Sequence, residues 1–405
     1  MQPVTTYECH LCRNNTVTEL LDLGMQPICN RFPVAPSDDE FLHPMRLGQC
    51  GDCGAIQLIN PVPADELMPR VDWITYNEPE GHLDDLAEII RNLPGITSES
   101  TVCGISFKDD STLARLEKLR IGQTWRVEPE TDLDIDEVGA GVETIQERLT
   151  PEIALSIAQT HGQTDVVVVR HILEHAHDTQ RFTNAVNKLV KPDGYIVFEV
   201  PDCTKALKNR DYSCPWEEHV LYFTPETFKR GLSLRGMELV RYASYPYELE
   251  DSLVAIVRPI PDPQSAQPSD PVSDDERQQA TYYAQALEQQ RERLGKYLSK
   301  FRRDQGKVAL LGAGHIACTF INLLDLQDHF EFVADDNPNK RGLFMPGSRL
   351  PILGSEALLD EDIKLCLLTV APPVESRVVA NNESFVQRGG EFSSIFPASK
   401  MALKV

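Results

Sequence analysis

A chain of 405 residues exceeds what one ordinary hydrophobic core organises and implies two or three domains. Its 39 basic and 62 acidic residues leave a net charge of −23, which repels phosphate backbones and anionic bilayers, so neither nucleic acid nor a membrane is expected as a partner. Met1-Gln2-Pro3-Val4-Thr5 lacks a basic segment followed by an apolar run, and no stretch approaches the length of a membrane span, so a cytoplasmic location is the expectation. Of 10 Cys, four form spaced pairs and the others are scattered, which argues against a disulfide scaffold.

Cys9-His10-Leu11-Cys12 and Cys50-Gly51-Asp52-Cys53 are two C-x2-C knuckles with 37 residues between them. That spacing lets four thiolates converge tetrahedrally on zinc; a shell closed by four Cys leaves no open position, so the metal is expected to be structural. His10 lies inside the first knuckle as a competing ligand. Leu23 to Phe32 reads as irregular and turn-rich, with Cys29 a packing residue.

Beyond a Pro-rich boundary at residues 60–69, the expected elements alternate. A helix spans Gly81 to Leu93, a strand Thr101 to Ile105, a helix Ser111 to Leu119, and a strand Trp125 to Glu128. A strand at Asp165 to Arg170, a helix at Phe182 to Leu189 and a strand at Tyr195 to Val200 follow. Nearly unbroken Val runs between amphipathic helices predict an α/β domain with a mostly parallel sheet, whose ligands bind beyond the carboxyl ends of the strands. Glu128 is placed to accept bonds from a ribose diol, or else faces solvent. The loop Gly104 to Asp110 has glycine only at the strand; Asp109 is either a ligand-binding acid or part of a helix cap. His171 and His175 share an i, i+4 relation, but the expectation is that His175 alone faces the pocket while His171 and His177 cap or lie at the surface. Glu217-Glu218-His219, with Trp216 and Tyr222 beside it, combines carboxylate and imidazole, the equipment for removing a proton. Thr224-Pro225-Glu226 starts a helix and pins this loop.

Residues 256–275 read as a linker and Glu276 to Arg303 as one long charged helix suited to bridging domains or to self-association, so monomer and homodimer stay open. Lys307 to Leu311 is then a strand running into Gly312-Ala313-Gly314-His315-Ile316-Ala317, a G-x-G-x-x-A turn. Asp335 and Asp336 end the next strand, Phe330 to Ala334. Together these make a candidate dinucleotide site for NAD, with Gly312, Gly314, His315, Asp335 and Asp336 as binding residues; a packing turn is the competing reading. Lys340 and Arg341 add cations suited to a nucleotide diphosphate.

In that order the motifs resemble the sugar C-methyltransferase family that acts on nucleotide-linked deoxy-keto-sugars, over nearly the whole chain. The four Cys with Gly24-Met25-Gln26-Pro27 and Asn30-Arg31-Phe32 carry the N-terminal part. Leu173-Glu174-His175, Lys191-Pro192-Asp193-Gly194, Glu199-Val200-Pro201 and Glu218-His219 with Tyr222-Phe223 carry the centre. Asp336-Asn337-Pro338, Lys340 to Gly342, Pro346-Gly347-Ser348 and Pro351-Ile352 carry the C-terminal part. The resemblance implies a zinc-binding module over 1–65, a Rossmann-like class I methyltransferase domain over 66–255, a linker and long helix over 256–304, and a Rossmann-like domain over 305–405. It implies S-adenosylmethionine in the central domain, with Gly104, Asp109, Glu128 and Arg170 around it, and a sugar nucleotide between the central and C-terminal domains. His219, assisted by Glu218, would take the proton beside the keto group, His175 would stabilise the enolate oxygen, and Tyr222 would complete the catalytic set. The cofactor loop departs from the family pattern: Gly104, Ser106, Lys108 and Asp110 stand where an acid, Gly, Asn and Gly are usual, and Trp216 replaces a Tyr. Two other readings stay open: a divergent enzyme using NAD for a redox or epimerising step, and a sugar-nucleotide binding protein without catalysis.

Overall fold

The computed structural model describes residues 5–404 except 75–77, 137, 261–270, 360 and 361. In chain order its strands are β1 Val17–Pro27, β2 Leu42–Cys50, β3 Ile56–Leu58, β4 Thr101–Gly104, β5 Gln123–Arg126, β6 Thr164–Arg170, β7 Val190–Asp202, β8 Leu221–Tyr222, β9 Met237–Tyr245, β10 Asp251–Pro259, β11 Lys307–Leu311, β12 Val333–Ala334, β13 Ile352–Leu353, β14 Ile363–Leu368 and β15 Glu391–Ser394. They form three sheets ordered β1-β2-β3-β8, β5-β4-β6-β7-β10-β9 and β13-β12-β11-β14-β15.

The central sheet is parallel from β5 to β7 and closes with the antiparallel hairpin β9–β10. Val166 to Val169 on β6 are fully buried because helices cover both faces, which is why that strand reads as an unbroken apolar run. Its helices start where their caps stand: Thr150 Oγ1 accepts from Ile153 N ahead of Pro151, and Thr224 and Thr227 cap each other around Pro225. The C-terminal sheet is all parallel. Among the described residues no helix is long and apolar enough to cross a membrane.

Several expectations need correction. Leu23 to Pro27 lies in β1, paired antiparallel with β2, so the segment between the knuckles is largely sheet. β10 carries the central sheet to Pro259, four residues into the expected linker; residues 261–270 of that linker lie outside the described residues. The long helix is two, Asp274–Gln285 and Leu287–Asp304, interrupted at Ala286.

The N-terminal sheet matters most for the site. β8 belongs by sequence to the central domain, yet it pairs with β3, with Ile56 opposite Tyr222 and Gln57 opposite Leu221. The knuckle Cys50–Cys53 connects β2 to β3, so the cysteine cluster and the His219 loop share one sheet.

Candidate active site and zinc centre

Cys9, Cys12, Cys50 and Cys53 bring their Sγ atoms within 4.8 Å of one another, with Cys9–Cys53 at 3.5 Å and Cys12–Cys50 at 3.6 Å. Four thiolates about 2.3 Å from one zinc ion stand about 3.8 Å apart, so the cluster fits the metal. Mutual sulfur contacts push the Cys53 thiol far up and hold Cys50 far down, as expected of four sulfurs that cannot all ionise without a cation. His10 is not a fifth member: its Nδ1 lies 3.1 Å from the His177 carbonyl.

The loop from Tyr212 to Phe223 is fixed from all sides. Tyr212 Oη donates to the Tyr283 carbonyl at 2.6 Å, Thr319 Oγ1 donates to the Ser213 carbonyl at 3.2 Å, Val220 N donates to the Glu174 carbonyl at 2.8 Å, and Leu58 N donates to the Val220 carbonyl at 2.9 Å. Tyr222 Oη accepts from Trp216 N and donates to the Trp216 carbonyl, both at 2.9 Å. That hydroxyl, expected to be catalytic, is committed to shaping the turn, and burial raises its pKa well above the ordinary value.

Within this frame His219 and His175 face each other edge to face, ring centroids 4.7 Å apart. Trp216 lies 5.0 Å from His219 and stacks on His315 of the C-terminal turn at 4.3 Å, which joins the central and C-terminal domains at the site. Burial, and next the adjacent His175, hold His219 far below the ordinary imidazole range. Glu218 does not lean on His219. Its Oε1 accepts from Asn30 Nδ2 at 3.0 Å, and its carboxyl lies within 4.8 Å of Glu143 and His175. Glu143 Oε1 in turn lies 2.9 Å from His175 Nδ1. Burial, then the charges of Glu143 and Glu217, raise Glu218 well above the carboxylate range, while the His175 ring outweighs burial at Glu143 and lowers it. Glu217 accepts from Cys29 N at 2.6 Å and Cys29 Sγ at 3.1 Å, and burial lifts it to about 7. Cys29 and Asn30 are therefore the zinc module's hold on both carboxyls.

Glu143, in the helix Val142–Arg148, was not expected from the sequence. Its signal is faint: Val142, Ile145 and Leu149 make the buried stripe, and Glu143 with Gln146 is buried beside it.

A second buried network lies under the cofactor loop. Glu199 accepts from Arg170 Nε at 2.5 Å and Ser252 Oγ at 2.6 Å, and lies 3.1 Å from both His171 Nε2 and His82 Nε2. His171 is not at the surface as expected; its backbone takes the left-handed conformation, φ 48°, which its three carboxylate neighbours Glu78, Glu174 and Glu199 hold in place. Arg170 likewise points inward to Glu199, which removes it from the expected cofactor set. Asp109 is also internal: it accepts from Ile105 N at 2.7 Å, Ser106 N at 2.9 Å and Arg170 N at 2.9 Å, and burial raises it to about 7. It shapes the loop instead of binding a ligand. Gly104 is needed because a Cβ there would meet Asp109 Cβ at 2.9 Å.

The donor set still fits S-adenosylmethionine. The loop 105–110 lies at the carboxyl end of β4, next to the point where the sheet order reverses direction between β4 and β6. Glu128, just past β5 and 60% exposed, is open to a ribose diol, and Glu78, half-buried and held at about 2 by His171 and Lys108 against its desolvation, offers a negative charge to a sulfonium. The departures also have partners: Lys108 Nζ pairs with Glu78 at 2.6 Å and Asp110 with Arg126 at 2.7 Å. Glu128→Ala is expected to weaken S-adenosylmethionine binding about tenfold, the loss of roughly one charge-assisted hydrogen bond, measured by calorimetric titration.

The C-terminal turn reads differently from the expected NAD site. Asp335 Oδ2 accepts from Ala313 N at 2.9 Å and pairs with Lys340 at 3.2 Å, and Lys340 also donates to the Ala313 carbonyl at 2.8 Å, so the acid ties its own turn. Asp336 is taken up by Arg341 at 3.1 Å and by Ser355 N at 3.0 Å. Gly312, with φ 112°, permits close packing on Thr369, whereas a Cβ at Gly314 would meet nothing within 4 Å.

Comparison with known proteins follows this division. Residues 9–67 match the family model of a zinc binding domain, residues 132–242 that of a methyltransferase domain, and residues 273–397 that of a C-methyltransferase C-terminal domain. C-methyltransferase NovU of Streptomyces niveus is 24% identical over 412 aligned positions, covering 97% of this chain and 96% of that one. Among solved structures, a Burkholderia thailandensis 1,6-didemethyltoxoflavin-N1-methyltransferase with bound S-adenosylhomocysteine is 13% identical at TM-score 0.30, covering 45% of this chain and 79% of that one. The YcgJ protein of Bacillus subtilis is 11% identical at TM-score 0.29, covering 45% and 100%. None of these matches supports NAD. With the three domain matches in order along one chain, the protein combines a zinc-binding module, a methyltransferase domain and a C-methyltransferase C-terminal domain, and is an S-adenosylmethionine-dependent C-methyltransferase.

Proposed function

We infer that the chain methylates a carbon next to the keto group of a nucleotide-linked deoxy-sugar, through an enolate. The observation that carries this reading is the pair of imidazoles, buried His175 and half-buried His219, 4.7 Å apart between carboxyls on one side and aromatic rings on the other. Methylation at carbon needs a proton removed from carbon and the resulting oxyanion met by a donor, and two facing imidazoles supply one group for each task. Bound S-adenosylmethionine supplies the electrophilic methyl group, with Glu128 placed for its ribose. The nucleotide end is supported by the C-terminal turn, where a Cβ at Gly314 would meet nothing within 4 Å, the Lys340 ammonium reaches the Ala313 carbonyl, and His315 stacks on Trp216. An anionic diphosphate suits that local cation in an otherwise acidic protein.

The test is incubation of the protein in deuterated buffer with a panel of nucleoside diphosphate keto-deoxyhexoses, without the methyl donor. Deuterium entering the position beside the keto group is the expected result. Reversible hydride transfer to added NAD without such exchange would favour the redox reading instead.

A further inference from the structure

One helix of the C-terminal domain reaches the catalytic loop by two routes. The first is direct: in the helix His315–Leu323, His315 stacks on Trp216 at 4.3 Å and Thr319 Oγ1 donates to the Ser213 carbonyl. The second runs through the zinc module. Asn322 Nδ2, at the other end of the same helix, donates to the Pro346 carbonyl at 3.0 Å, and the turn around Pro346 meets residues 33–40. Phe344 N donates to the Pro33 carbonyl at 2.9 Å, and Gly347 N donates to the two carboxylate oxygens of Glu40 at 3.0 and 3.1 Å. Arg349 Nη2 donates to the Asp38 carbonyl at 2.9 Å and pairs with Glu40 at 3.2 Å. The same segment begins at Cys29 and Asn30, which hold Glu217 and Glu218. Between its ends, Arg31 Nη2 donates to the carbonyls of Glu66 and Met68, Lys340 Nζ stands 5.6 Å from the centre of the Phe32 ring, and Asp38 accepts from Val34 N and Ala35 N. A stretch with neither helix nor strand is thus pinned every few residues.

Its far anchor is not built for stability alone. Arg349 takes the left-handed backbone conformation, φ 60°, which a residue with a Cβ keeps only where its contacts over-determine it. The Glu40 side chain is 8% exposed, and burial raises its pKa in spite of Gly347 N and Arg349, so pairing returns less than desolvation costs. A strained residue and a costly ion pair in one contact serve to fix where the segment ends.

We propose that Glu40 and Arg349 are positioning residues of the reaction: they seat residues 29–40 as a strap through which the C-terminal domain sets Glu217 and Glu218, and with them the adjoining His219. The domain proposed to take the nucleotide end of the substrate thereby also determines whether the reacting groups are in place. One helix carries both arms of this clamp, so a shift of the C-terminal domain moves the catalytic loop from the Trp216 side and from the carboxyl side together. The strap itself is independent of the enolate reading; its effect on rate rests on that reading.

The experiment compares the unaltered full chain with Glu40→Gln, Arg349→Met and the double variant. Glu40→Gln keeps an acceptor for Gly347 N and removes the charge. In hydrogen–deuterium exchange mass spectrometry of the protein alone, the amides of residues 29–32 and 216–220 are expected to exchange about tenfold faster in each single variant, the loss of roughly one charge-assisted hydrogen bond. The knuckles at residues 9–12 and 50–53 and the bound zinc are expected to be unchanged. The double variant is expected to fall well short of the product of the two single effects, because both changes break one contact. With the keto-deoxyhexose panel, kcat for deuterium entry beside the keto group is expected to fall about tenfold while S-adenosylmethionine affinity is unchanged. Loosening confined to residues 29–40, with 216–220 as protected as before, overturns the strap, and so does no change at either segment. Loss of zinc in parallel also overturns it, because the pair would then belong to the folding of the module. No deuterium entry by the unaltered protein across the panel overturns the enolate reading, and the amides alone then decide the strap.

Discussion

Replacing Cys53 by Ser is expected to abolish methyl transfer although no cysteine of the zinc centre faces the reacting groups. A structural zinc site contributes roughly 10–16 kcal/mol of coupled binding and folding, as much as or more than the roughly 5–15 kcal/mol of net stability of an ordinary domain. The effect reaches the active site by a short path. The knuckle Cys50–Cys53 turns β2 into β3, β3 pairs with β8, and β8 begins two residues after His219. The same module supplies Cys29 and Asn30 to Glu217 and Glu218. Loss of zinc therefore frees the catalytic loop on two sides. The check is metal analysis beside activity: Cys53→Ser, or chelation of the unaltered chain, should lose zinc and activity in parallel, with a lowered thermal midpoint.

Glu199→Ala is expected to be the most destabilising single change outside the zinc centre, by about 3–5 kcal/mol, because it strands the Arg170 guanidinium in the interior. Glu199 and Arg170 are 0% and 1% exposed in their side chains, and two imidazoles and Ser252 converge on the same carboxylate. The network also sets a pH window. His171, which burial alone would lower, is raised to about 10 by Glu78, Glu174 and Glu199, so its contribution is complete below about 6.5 and is lost as pH rises through about 10. Glu199 is held well below the carboxylate range against its burial, so its contribution is complete above about 4.3 and is lost as pH falls through its lowered pKa. Both are whole between about pH 4.5 and 6.5, and the thermal midpoint should fall from there toward pH 10. His171→Asn should flatten the alkaline limb; an unchanged slope would mean that another group sets it.

The sequence was most readable where one local pattern decides the structure. The Val run of β6 and the strand-turn-helix of Lys307 to Ala317 each depend on neighbours in sequence, and the two knuckles, distant from each other, are each marked by a local C-x2-C spacing; all form as expected. Legibility failed where a side chain's partner is distant. Asp109 and Arg170 look like ligand residues at strand ends, yet each is spent on the interior, through partners such as Glu199, 29 residues from Arg170. Tyr222 looked catalytic because it neighbours His219, but the tight turn folds its hydroxyl back onto Trp216. Glu143 carried no motif, and only the packing of its helix brings it beside His175. The irregular look of Leu23 to Pro27 conceals a bulged strand, whose register against β2 shifts between Asp22 and Met25.

The most direct test of the central claim is mass spectrometry of nucleoside diphosphate keto-deoxyhexoses incubated with the zinc-loaded protein and S-adenosylmethionine carrying a deuterated methyl group. Transfer of that intact methyl to the carbon beside the keto group, with S-adenosylhomocysteine formed in equal amount, is the predicted result. Deuterium-free sugar products, or a methyl group found on oxygen, would contradict it.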